Sequence, residues 1–92
     1  MGRSVDFKIE MPVVHANTSA KDDLPCFTPI LVLDTEVDER TTVLINRDKK
    51  SVIWFDEDGY IGESDLEYFN ESRHVVIRQY GPGDALVIRA VE

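Results

Sequence analysis

Residues 41–59 read TTVLINRDKKSVIWFDEDG, and this stretch decides the fold. Two β-branched and aromatic runs, Thr41 to Asn46 and Ser51 to Phe55, flank the polar residues Arg47, Asp48, Lys49 and Lys50. Strand, short polar loop, strand is the pattern of an antiparallel hairpin. Asp56-Glu57-Asp58-Gly59 follows at once. Asp-Gly predicts a tight turn, because glycine takes positive φ without steric penalty. Tyr60-Ile61 then begins a short return strand.

Upstream, Ile30-Leu31-Val32-Leu33 is a continuous apolar run, which predicts a buried strand, and Asp34 to Arg40 reads as a charged turn. Val5, Phe7, Ile9 and Met11 alternate with polar residues, so a half-buried strand is expected there, ended by Pro12. Residues 12–29 hold Pro12, Pro25 and Pro29 and little periodicity. They read as a long irregular connection, a kind of loop that is uncommon in compact domains and often functional.

Downstream, Ser64 and Glu67 form an S-x-x-E capping box, predicting a short helix near residues 64–71 with Leu66 and Phe69 turned inward. His74 to Tyr80 and Ala85 to Val91 read as a second hairpin about the turn Gly81-Pro82-Gly83-Asp84. The expected fold is α+β: a mainly antiparallel, twisted sheet of five or six strands, open or curled into a partial barrel, with one short helix. The 92 residues make one domain.

The charge is segregated. Asp56, Glu57, Asp58, Glu63, Asp65, Glu67 and Glu71 fall in one stretch without a Lys or Arg. Asp22, Asp23, Asp34, Glu36, Asp38 and Glu39 fall in another. The rest of the chain is net basic, and the total is −8. Such a chain is repelled by phosphates, which argues against direct nucleic-acid binding and disfavours anionic membranes. Apolar runs such as Ile30 to Leu33 are four residues long, far from the ~18 that span a bilayer. Residues 1–6 lack the apolar core of a secretory signal, and the single Cys26 cannot form an internal disulfide, so a cytoplasmic setting is expected.

Catalytic and metal chemistries find little support. Asp56 to Asp65 partly resembles an EF-hand calcium loop, but Trp54 stands where the first ligand is needed and a strand stands where a helix is needed. Cys26 has acidic neighbours, which raise rather than lower a thiol's pKa, and reads as a buried structural residue. His15, His74 and Cys26 show no metal-ligand spacing. No catalytic residue, metal or cofactor is expected.

Protein binding through an acidic face remains. The expected contact residues are Asp56, Glu57, Asp58, Tyr60, Glu63, Asp65, Glu67, Tyr68 and Glu71, helped by Asp34, Glu36, Asp38 and Glu39. The carboxylates would steer a basic or nucleic-acid-binding protein and the aromatics would anchor it. In size and charge, though in no motif, the chain resembles the small acidic phage inhibitors that imitate nucleic acid. The alternative is an assembly subunit, a homodimer or larger, joined through the strand edges of Val5 to Met11 or Ala85 to Val91, with the acids serving solubility.

Overall fold

The computed structural model describes residues 6–12, 21 and 24–91. The elements run β1 (Asp6–Glu10), β2 (Ile30–Asp34), β3 (Glu39–Asn46), β4 (Ser51–Asp56), β5 (Ile61–Asp65), α1 (Leu66–Glu71), β6 (His74–Gln79) and β7 (Val87–Val91). Five strands form an antiparallel sheet in the order β5-β4-β3-β2-β6, and β1 pairs with β7 in a separate two-stranded ribbon. The fold is α+β, and the sheet is not closed into a barrel. Val5, His15, Asn17 and the other residues of 12–29 that fall in 13–20 and 22–23 lie outside the described residues. Among the described residues no helix is long and apolar enough to cross a membrane.

Strand register sorts the side chains. Val43 pairs with Ile30 on one side and Trp54 on the other, and Ile45 pairs with Val52. Alternate residues share a face. Ile30, Val32, Val43, Ile45, Val52, Trp54 and Val76 accordingly form one cluster, closed by Phe69 of α1 and by Leu24 from the long connection. Leu31 and Thr42 are buried on the opposite face. Arg40, in register with Leu33 on that face, donates to the Pro12 carbonyl just past β1 at 3.2 Å, and Ile9 of β1 is buried.

The long connection is strapped to the sheet. Arg47 donates to the carbonyls of Leu24 at 2.8 Å and Lys21 at 3.3 Å. Lys21 Nζ donates in turn to the carbonyls of Phe69 at 2.9 Å and Ser72 at 3.1 Å. A cation therefore meets the negative end of α1, where orphan carbonyls need donors. Cys26 in this segment is half-buried and free, more open than the buried position expected for it.

Two expectations are corrected. The 74–80 and 85–91 segments do not pair with each other. β2 is buried from Ile30 to Val32 and needs a ladder on both sides. β3 supplies one, and β6 supplies the other. β7 is left to cross over and pair with β1, from Asp6–Val91 to Glu10–Val87. The turn between them is held by Asp84, which accepts from Gly81 N at 2.7 Å and from Arg78 at 2.6 Å.

The capping box is also absent. α1 starts at Leu66, its N-cap is Asp65, and no side chain caps it. Ser64 Oγ instead accepts the indole N–H of Trp54 at 2.7 Å. A buried N–H without an acceptor costs about 1–3 kcal/mol, whereas an exposed helix end can be solvated. The helix start is fixed differently, by Leu66 N donating to Lys50 O at 2.8 Å in the β3–β4 turn.

Phe69 is fully buried and is the residue by which α1 enters the core. Phe69→Ala should cost about 3–5 kcal/mol, a large share of a small domain's stability. Urea unfolding would show it as a sharply lowered midpoint.

Candidate functional site

The apolar face of the sheet turns polar beyond Trp54. Asp34 pairs with Glu39 and His74, and Thr41 pairs with Asp56, all on the face that carries Trp54. Above them α1 presents Tyr68 and Glu71, three residues apart and so on one side of the helix. Tyr60 supplies a second aromatic wall. Together these residues surround a groove of about 490 Å³, a size typical of ligand sites.

Trp54 is the floor. It is 7% exposed, and its ring meets Tyr68 edge-on at 6.1 Å, Phe69 at 5.5 Å and His74 at 4.8 Å between centroids. Gly62, its partner in β5, keeps the wall in place. A Cβ on Gly62 would lie 2.5 Å from the Tyr60 hydroxyl oxygen and 2.6 Å from its Cε2. The Tyr60 ring therefore rests across bare backbone. Gly59, by contrast, serves the turn itself, with φ of 101°.

At one end of the groove Arg73 forks onto Asp34 at 2.6 and 3.0 Å and reaches Glu36 at 2.7 Å. The Arg73 hydrogen bonds pull the Asp34 pKa down to about 2 against the opposing effect of its burial, and the Glu36 N–H assists. Next to Asp34 across the ladder, Glu39 meets Asp56 and Asp58, and the three bring carboxylate oxygens within 4.8 Å of one another. Burial and mutual repulsion raise the pKa of Glu39 and of Asp56, while a 2.8 Å hydrogen bond from Thr41 works the other way on Asp56. Asp58 also accepts the Tyr60 N–H at 3.1 Å. Among the described residues, none of Glu39, Asp56, Asp58 and Glu71 has a basic partner.

Ser72, His74 and Asp34 lie in line, the order of a nucleophile, a base and its orienting acid. The hydrogen bonds give them another role. Ser72 Oγ donates to Phe69 O at 2.7 Å, so the 3.2 Å contact with His74 is donated by Nδ1–H. His74 Nε2 stands 3.7 Å from Asp34, beyond hydrogen-bond length, and Arg73 already holds that carboxylate. Burial lowers the His74 pKa, so the ring is neutral at pH 7. Ser72 and His74 together fasten the end of α1 to β6.

Of the residues expected from the sequence, Asp34, Glu39, Asp56, Tyr60, Glu63, Tyr68 and Glu71 line the groove. Glu63 is the exception in its strand position. Its register with Ile53, like that of Asp65 with Ser51, belongs to the opposite face. Asp58 adjoins through the carboxylate cluster. Glu57 is paired with Arg40 at 3.1 Å and Glu36 with Arg73. Asp38 is exposed in the β2–β3 turn at φ of 56°, and Glu67 is exposed on α1 outside the lining. The acids thus divide between a groove and a scatter rather than forming one continuous patch. Thr41, Ser64, Ser72, Arg73 and His74 also line the groove and were not anticipated. Alternation along β3 and β4 could have found Thr41; no sequence signal joins Arg73 to Asp34.

Two outcomes test this geometry. Gly62→Ala should displace the exposed Tyr60 ring at small cost to stability, below about 1 kcal/mol, and change the NMR shifts of Tyr60 and the Trp54 indole. Unmoved Tyr60 signals would contradict the stacking. Asp34 is held below its ordinary 3.8, so its stabilisation is complete above that value and is lost as pH falls towards about 2. Asp34→Asn should therefore be less stable than the parent at pH 7, with the urea midpoints converging through that window.

No protein-family model, no curated protein and no solved structure matches the chain, so the groove's own geometry is the ground for a functional reading.

Proposed function

We propose that this chain is a non-enzymatic protein-binding module that captures a basic partner, of the kind that handles nucleic acid, through the acidic groove. One observation carries the reading: the carboxylates of Asp34, Glu39, Asp56 and Glu71 and the single guanidinium of Arg73 surround a groove walled by exposed tyrosines. Local charge of one sign in a concave site focuses the field, which speeds encounter with a basic surface and rejects anionic ones. Tyr60 and Tyr68, each 61% exposed, offer the amphipathic anchors from which hot spots are built.

The groove also refines how the acids would be used. Glu39, Asp56 and Asp58 converge on one point instead of marching in a row. Convergence suits a projecting cationic side chain of the partner better than imitation of an extended phosphate backbone. Occlusion of the partner's own anion-binding surface would follow from the same contact. Free Cys26 is in keeping with a reducing, cytoplasmic setting.

A second reading keeps the assembly idea with different edges. β1 and β7 now pair with each other, but β5 and β6 bound the five-stranded sheet without a further strand among the described residues. Self-association there would be insensitive to salt.

The two readings separate in one experiment. Glu39→Lys, Asp58→Lys and Glu71→Lys combined should weaken capture of basic proteins by about tenfold or more, and rising salt should release what the parent protein holds. Asp48→Lys with Glu67→Lys should leave capture unchanged. Equal capture by both variants, or a homo-oligomer stable in high salt as the sole species, would overturn the binding-module reading.

A further inference from the structure

Resting on the basic-partner reading, we propose that the occupant of the groove is one arginine side chain of that partner, its guanidinium laid against the Tyr60 and Tyr68 rings and hydrogen-bonded by Asp56 and Glu39. Three observations lead here. The walls are aromatic: Tyr60, Tyr68 and the Trp54 floor surround the same space as the acids. Aromatic faces carry a negative quadrupole and attract cations, arginine most often among side chains.

The carboxylates, second, are in want of donors. Neither Glu39 nor Asp56 has an ion-pair partner among the described residues, and their oxygens lie within 4.8 Å of each other and of Asp58; burial first, and the neighbouring acids second, raise the pKa of both. A cation between them removes that repulsion. Asp56 keeps acceptor capacity after the bond from Thr41, since a carboxylate has about four lone-pair sites.

Third, the molecule already pairs guanidinium groups with carboxylates at and beside the groove. Arg73 lines the same groove and forks onto Asp34 at 2.6 and 3.0 Å, and Arg40 sits on Glu57 at 3.1 Å just outside it. A planar fork satisfies two oxygens while its face stacks on a ring; an ammonium is a hydrated point charge and can do only the first, and that less well. A bare divalent ion would gain nothing from the tyrosine walls. A groove of about 490 Å³ also has room for a side chain with its flanking backbone.

The test uses the full chain and small probes. N-acetyl-arginine amide, its lysine counterpart and the neutral citrulline counterpart are titrated while the fluorescence of Trp54, the chain's one tryptophan, is followed. The arginine probe should give a saturable change, the lysine probe should bind at least about fivefold more weakly, and citrulline should give none. Tyr60→Ala and Asp56→Asn should each weaken the arginine probe by about tenfold, with urea midpoints close to that of the parent.

The assignment is overturned by an unsaturable arginine response, by equal response to citrulline, or by tighter binding of lysine or of magnesium. If the probes fail while charge reversal still abolishes capture of basic proteins, the arginine assignment falls and the basic-partner reading stands. If the arginine probe binds but no basic protein is captured, the partner reading falls, and with it the claim that the guanidinium comes from a protein.

Discussion

Everything in the site depends on the indole of Trp54 being held still. Its N–H is fixed by Ser64 at 2.7 Å, and its ring packs against those of Phe69 and His74. The residue stands where the sheet's face changes character. On one side lie Val43, Val52 and Phe69, fully buried; on the other lie Thr41, Asp56 and His74. A large amphipathic ring is suited to that boundary, because its body needs apolar neighbours and its single donor needs an oxygen. Release of the indole would loosen the core and the groove floor together.

The strands were legible because apolar periodicity is a local property. The hairpin of residues 41–55, the Asp-Gly turn and the buried run from Ile30 were each written in a few adjacent residues. The pairing of β6 and β7 was not. Adjacent strands joined by a breaker-rich turn suggest a hairpin, but the demand of β2 for a second ladder is a tertiary fact. Ser64 shows the same conflict in one residue. Its spacing from Glu67 satisfies a capping rule, yet a buried donor across the strand claims its hydroxyl. Local preference yields where a desolvated polar group would otherwise stay unpaired.

Charge followed a different logic. The acidic runs were plain in the sequence, but which acids would remain unneutralised was not. Arg73 and Arg40 come from distant positions and take Asp34, Glu36 and Glu57. Strand alternation sends Glu63 and Asp65 to the other face. The surviving group, Glu39, Asp56, Asp58 and Glu71, draws from both acidic runs and has its members brought together by the β3–β4 ladder, the adjoining turn and α1. Segregation along a chain therefore indicates the sign of the field but not its focus.

The ribbon of β1 and β7 has a bearing on how the chain assembles. It joins Asp6 to Val91, the widest separation of any strand pairing among the described residues, whereas β3 and β4 are joined through Arg47 to Lys50 alone. Each doubling of a closed loop adds about 0.6 kcal/mol of entropic cost. The meander from β2 through β5 can thus zip by near-neighbour steps, while the ribbon must wait until the intervening chain is already compact. The groove is built mainly on the meander, with α1 and β6 adding its far side, so its walls belong largely to the early-forming part and the ribbon to the late one.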